Sequence, residues 1–240
     1  MKSLYTLLAC VTAAVAGVML TSAAKAPIKP ESPDMERIAA EVSDPSSRYY
    51  YPDLMRRYEA NETIMGLDEY RHLYLGYVFQ EDYDPYRHSE FSKMVEDQYY
   101  KTKHTKAECD TIIKYAELSL NDNPFDLRQI NFLIYALREK RKNNMANIWQ
   151  YRLNHLLEAI VSTGSGVDKD NAWYVINPQH EYYILNLLGR VAEGQEYVAP
   201  YYDYIKVAPK GDKDPEGYYF NIKHILEEYM RKYPDSGQEP

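Results

Sequence analysis

Residues 105–161 read TKAECDTIIKYAELSLNDNPFDLRQINFLIYALREKRKNNMANIWQYRLNHLLEAIV, and their periodicity decides the fold class. Thr105 and Glu108 stand three apart before an apolar run. In that pattern the hydroxyl and the carboxylate each satisfy a free backbone N–H at a helix start. Cys109, Ile112, Ile113, Ala116 and Leu120 then follow on one helical face. Asn123-Pro124 forms a very short joint and is expected to cap and start a second helix. Its apolar residues (Phe125, Leu127, Ile130, Phe132, Leu133, Ile134, Tyr135, Leu137) surround the axis, so it should be packed on several sides. A third helix is expected over residues 144–161, with Met145, Ile148, Trp149, Leu153, Leu156, Leu157 and Ile160 as its stripe. Gly164-Ser165-Gly166 should stop it by supplying positive-φ positions. Two tight helices with Asn-Pro-Phe at the joint resemble a tetratricopeptide hairpin, although no convincing second copy stands at that repeat's spacing.

Outward from this block, Ser32-Pro33 is expected to start a helix that runs to about Val42. Pro52 opens a short helix with Leu54, Met55 and Tyr58 on one face. Residues 67–79 carry Leu67, Tyr70, Tyr74, Tyr77 and Val78 at helical spacing, and residues 80–100 read as a polar, tyrosine-rich loop with room for one helical turn. Beyond the glycines the pattern changes. Residues 172–176, 202–207 and 217–222 are short and rich in aromatic or β-branched residues, as strands are. Residues 181–188 lean to helix, and a helix over 222–233 closes the fold. The expected class is α+β, mostly helical, with TPR-like helical hairpins followed by a small antiparallel sheet. Residues 25–32 read as a linker and 33–233 as a single domain, helical over 33–163 and mixed over 164–233. Residues 234–240 read as a disordered tail.

The chain carries 28 Lys+Arg against 36 Asp+Glu, a formal net charge of −8. An acidic globule with no basic arm repels phosphate backbones, so nucleic acid is not an expected partner. Lys2, the apolar run Leu4 to Leu20 and Ser22-Ala23-Ala24 form the three parts of a secretory signal peptide over residues 1–24. Export to the periplasm or the extracellular space is therefore expected, with no transmembrane segment after signal cleavage. Leu7-Leu8-Ala9-Cys10 loosely resembles a lipobox, a rival reading of the same stretch. If Cys10 leaves with the signal, Cys109 remains alone and cannot form an internal disulfide. Its place on an inner stripe beside Glu108 and Asp110 suits a small buried hydrophobe better than a reactive thiol.

The templates of catalysis and metal binding fail one after another. His180-Glu181 opens a zinc-protease pattern, but Ile184 stands where the second histidine must be. Glu69 and His72 have the spacing of a carboxylate di-metal pair without a second copy, and are expected on a solvated face opposite the tyrosine stripe. Asp212 to Gly217 matches the first half of a calcium loop, yet Lys223 falls where the closing carboxylate belongs. No nucleophile elbow and no phosphate loop occurs. No metal, no cofactor and no catalytic residue is assigned.

Tyrosine is the unusual residue, with 26 copies against 5 Phe and 2 Trp. Ring faces with hydrogen-bonding rims suit sugars, peptides or a protein groove. They equally suit a core whose hydroxyls reach backbone carbonyls. Tyr51, Glu69, Arg71, Tyr74, Trp173, His180 and Glu181 are the candidate binding residues. The blocks Tyr49-Tyr50-Tyr51-Pro52-Asp53-Leu54 and Glu69-Tyr70-Arg71-His72-Leu73-Tyr74-Leu75-Gly76-Tyr77 resemble the N-terminal signature of domain-of-unknown-function family 4919. Asn123-Pro124-Phe125-Asp126, the stretch from Gly164 to Ile176, His180-Glu181-Tyr182 and Gly217-Tyr218-Tyr219-Phe220 are similar to its later blocks, in order. The resemblance implies a secreted bacterial protein of about this length with no assigned activity. Leu75 stands where the family typically shows a tyrosine, so that ring is not essential to any site.

The expected function is a binding or scaffold module of the cell envelope with a tyrosine-rich surface, its partner a protein, peptide or glycan. The alternative is a hydrolase of an envelope polymer or peptide, should the fold assemble Glu69, Arg71, Tyr74, His180 and Glu181. Whether the chain is an enzyme stays open at this point.

Overall fold

A computed structural model describes residues 29–208, 211 and 214–234. The expected signal peptide, half of the expected linker, Asp212 and Lys213 of the calcium-like loop and the residues from 235 lie outside the described residues. Those residues form nine α-helices and one four-stranded sheet, an α+β fold that is mostly helical. The helices are α1 Met35–Ser43, α2 Tyr51–Glu59, α3 Leu67–Gly76, α4 Lys93–Glu96, α5 Lys106–Asp122, α6 Leu127–Glu139, α7 Asn143–Val161, α8 Gln179–Leu187 and α9 Lys223–Lys232. The strands are β1 Trp173–Tyr174, β2 Ala192–Val198, β3 Tyr202–Val207 and β4 Gly217–Asn221. The chain divides into two compact units. Among the described residues, one holds 87–154 and 186–189; the other holds 29–86, 155–185 and those of 190–234.

In the helical unit, α5 starts as its sequence dictates. Thr105 Oγ1 accepts from the Glu108 N–H at 3.2 Å, and Glu108 Oε2 accepts from the Thr105 N–H at 2.8 Å. The Lys101 ammonium, together with Thr105, holds the Glu108 carboxyl down to about 2. Cys109, Ile112, Ile113, Ala116 and Leu120 are buried together, and burial pushes the Cys109 thiol up. The joint differs from the expected one. Asn123 closes α5, and Asp126 caps α6 by accepting from the Gln129 N–H at 3.0 Å. Pro124 and Phe125 occupy the turn, which leaves Asp126 as the last short polar side chain before the apolar run. α5 and α6 pack as a hairpin, tied at its open end by Lys140 and Asp110 at 2.7 Å. One hairpin of this kind does not establish the tetratricopeptide likeness. Residues 80–100 hold the short helix α4 and the 3-10 turn Asp97–Tyr100, more order than a loop with a single helical turn. On α7, Met145 is exposed and Ala146 takes the buried place.

In the second unit, Asp34 caps α1, rather than Ser32, by accepting from the Arg37 N–H at 2.9 Å. α3 packs on both α1 and α2. The approach to α1 is close at Gly76, where a Cβ would lie 2.7 Å from Val42 Cγ1. His72 is buried rather than solvated. Its ring stacks on Tyr49 at 3.6 Å and its nitrogens meet Glu41 Oε2 at 2.6 Å and the Asp68 carbonyl at 2.7 Å. The surface position is lost because Tyr49 covers the ring. Gly166 adopts φ 72°, and a Cβ there would lie 2.6 Å from the Trp173 ring, so this glycine both turns the chain and makes room for the indole.

The sheet order is β1-β4-β3-β2. It is mixed, not antiparallel: β2–β3 and β3–β4 are antiparallel, while β1 runs parallel to β4. α8 intervenes between β1 and β2, so β1 is not a hairpin neighbour and joins the far edge instead. β2 is exposed along nearly its whole length and has no apolar alternation; its ladder to β3 makes it a strand.

Candidate functional site

β3 reads Tyr-Asp-Tyr-Ile-Lys-Val, and its alternation separates two surfaces. Asp203, Ile205 and Val207 are buried on one face, and Tyr202 and Tyr204 stand on the other. The ladders extend both sets. Asp203 pairs with Phe220 and Ile205 with Tyr218, and Trp173 pairs with Phe220, so these share the inner face. Tyr204 pairs with Tyr219, and Tyr202 and Tyr174 each pair with Asn221, which gives the outer face.

The outer face is a tyrosine platform. Tyr174, Tyr202, Tyr204 and Tyr219 are all partly exposed. The Tyr204 and Tyr219 rings lie 4.7 Å apart, and Tyr201 meets Tyr202 at 4.8 Å. Gly217 makes the platform possible. A Cβ at Gly217 would come within 2.5 Å of Tyr204 Cζ, so the missing side chain lets that ring lie across the strand. Lys169 Nζ approaches the Tyr202 ring at 5.8 Å. Burial, followed by the Tyr201 hydroxyl, pushes the Tyr202 phenol up to about 12, so it stays neutral and its face stays electron-rich.

The inner face holds a carboxyl pair. Glu181 on α8 is 0% exposed, and neither carboxyl oxygen meets a hydrogen-bond donor. Burial first, and then Asp203 beside it, hold the Glu181 carboxyl well above the usual carboxylate range. Burial raises the Asp203 carboxyl too, with Gln195 and then Glu181 acting against that rise. Asp203 also accepts from Gln195 Nε2 at 2.6 Å, and Gln195 Oε1 accepts from the Tyr182 hydroxyl at 2.7 Å. Gln195 reaches Asp203 as a diagonal neighbour across the β2–β3 ladder.

The structure brings only part of the expected set together. Tyr74 and His180 meet, hydroxyl to Nδ1, at 2.7 Å, and the Ile176 N–H donates to the same hydroxyl at 3.3 Å. Glu181 follows His180 but turns to Asp203. Glu69 is engaged elsewhere: Oε1 pairs with Arg57 at 2.6 Å and Oε2 accepts from the Gly66 N–H at the start of α3. Burial raises its carboxyl, but Arg57 and Gly66 outweigh that and leave it below the usual range. Arg71 donates to Ser162 Oγ at 2.6 Å and to the Glu31 carbonyl at 3.1 Å. Tyr51 is buried against Tyr77, and Trp173 is buried against Tyr218 with its Nε1–H on the Gly164 carbonyl at 2.9 Å.

Asp203, Tyr204, Gly217 and Tyr219 were not among the sequence candidates. The alternation of β3 was the available clue, since it sends Asp203 inward with Ile205 and the tyrosines outward. A family model described as a domain of unknown function (DUF4919) matches residues 36–231. No curated protein matches the chain, and no solved structure matches it.

Proposed function

For a chain that belongs to the family described as a domain of unknown function (DUF4919), we propose an exported binding module that holds a glycan chain of the cell envelope on its tyrosine platform. One observation carries the reading: Tyr204 lies across Gly217 beside Tyr219, with Tyr174 and Tyr202 on the same open sheet face. A pyranose ring has an apolar face and a hydroxyl rim. Partly exposed phenol rings offer the complementary pattern, apolar in the middle and hydrogen-bonding at the edge. The export half of the proposal rests on the N-terminal residues 1–24.

The same geometry gives less support to a hydrolase. Glu69 and Arg71 are held by Arg57, Gly66, Ser162 and Glu31, and Glu181 has no solvent exposure through which to act on a polymer. The test is affinity electrophoresis of the full mature chain through gels containing soluble envelope glycan strands. Retardation is expected for the wild type and its loss for the Tyr204→Ala/Tyr219→Ala double variant. Equal mobility of the two proteins in the glycan gel would sink the reading, as would retention by stripped peptide stems alone.

A further inference from the structure

The tyrosine platform differs between its two ends. At the Tyr204 end, Glu196 faces Tyr204 across the β2–β3 ladder, and Glu216 precedes Gly217. Lys206 stands on the same outer face, opposite Gly217 and Gly194. All three charged residues are exposed, which sets two carboxylates against one ammonium. Burial, then Tyr219, and then Glu216 and Glu196 push the Tyr204 phenol up.

At the Tyr202 end the charge comes from the loop between α7 and β1. That loop touches β4 early, where the Tyr219 N–H donates to the Gly166 carbonyl at 2.7 Å. It then carries Lys169 to the turn after β2. Lys169 Nζ donates to the Ala199 carbonyl at 3.3 Å and lies over the Tyr202 ring at 5.8 Å. Lys169 is exposed, and neither a carbonyl nor a ring cancels its charge. Asp168 turns back on its own loop, accepting from the Asn171 N–H at 2.9 Å and from Asn171 Nδ2 at 2.8 Å. Asp170 is the other carboxylate of the loop, and it acts on the Tyr202 phenol after burial, Tyr201 and Tyr174.

Ring stacking holds a sugar by its apolar face and accepts many sugars; a charged group at the edge selects among them. An anionic substituent is repelled by Glu196 and Glu216 and attracted by Lys169. A single ammonium is a point charge suited to one carboxylate, whereas a phosphate carries more charge and gathers several donors.

We infer that the platform takes a glycan whose sugars bear carboxylates, with one carboxylate against Lys169 at the Tyr202 end and directed away from Glu196 and Glu216. The inference rests on the glycan reading and names the sugar chemistry of the same site.

The experiment is affinity electrophoresis of the full mature chain in two gels. One holds envelope glycan strands freed of peptide, with their carboxylates ionised. The other holds the same strands after reduction of the carboxyls to alcohols. The wild type is expected to bind the native strands about threefold more tightly, as one exposed ion pair allows, and to lose that margin at high salt. Lys169→Gln should bind both strands equally, and Lys169→Arg should keep the preference. A preference left intact in Lys169→Gln, or a margin unchanged by salt, overturns the inference. Equal retardation of the wild type in the two gels sinks the inference alone. No retardation in either gel sinks the glycan reading and the inference with it.

Discussion

One residue separates the two faces of the sheet. Asp203, Ile205 and Phe220 point inward and are buried, while Tyr202, Tyr204 and Tyr219 point outward and stay partly open. The same strands therefore serve as wall and as surface. The inner face holds a few buried polar groups: Asp203 is held by Gln195, while the Glu181 carboxyl beside it meets no donor. The outer face has rings that lean on one another across a glycine that leaves them room, with Lys169 near Tyr202. Tyr74 and Tyr83 lie in the core with their hydroxyls hydrogen-bonded, whereas Tyr202, Tyr204 and Tyr219 keep ring surface partly open on the sheet.

The sharpest way to break the comparison is to truncate neighbouring residues of β4. Phe220→Ala should cost about 4 kcal/mol in urea unfolding, because a fully buried ring leaves a cavity. Tyr219→Ala, one residue away, should cost about 1 kcal/mol. Similar losses at the two positions would show that the faces are not distinct. Next in size, Gly217→Ala should cost about 2 kcal/mol, since its new methyl overlaps Tyr204 and the Ile205 carbonyl. The same change should weaken glycan retardation by lifting the Tyr204 ring.

The carboxyl pair gives a third test, through pH. Both Glu181 and Asp203 are raised in the folded state by burial, so the folded chain holds more protons than the unfolded one above the ordinary range. The stabilisation linked to the raised groups is full below their unfolded values and is lost as pH rises through the folded ones. Unfolding free energy should therefore fall with a slope of up to about 1.4 kcal/mol per pH unit above about pH 4.5. Glu181→Gln should flatten that slope, as measured by urea unfolding across a pH series. The smallest effect belongs to the other unit. Thr105→Ala removes one cap of α5 and should cost about 1 kcal/mol by thermal unfolding, without altering either face of the sheet.

Much of the fold was legible. The hairpin α5–α6, the long α7 and the strands β3 and β4 follow from 3.6- and 2-residue periods that packing preserved. What escaped was set by long-range contact. β2 has no apolar alternation, so only its ladder to β3 reveals it. Asn123 and Asp126 are both good caps, and the turn made by Pro124 and Phe125 chose the second. His72 follows a charged neighbour in sequence, yet Tyr49 folds over it. The candidate site was legible only in type. Tyrosine abundance pointed to aromatic surface, but which rings stay open depends on the parity of β3 against β4. Glu181 was named from its neighbourhood, while its partner Asp203 lies on a strand whose pairing no local pattern announces.

β2 forms one border of the sheet and offers its outer backbone groups to any extended segment that drifts alongside. Glu193 and Glu196 sit on that border, and a register shift falls between Ala192 and Gly194. A second copy approaching edge to edge would bring four carboxylates into line against an irregular ladder. The border therefore discourages pairing of two copies through this edge of the sheet.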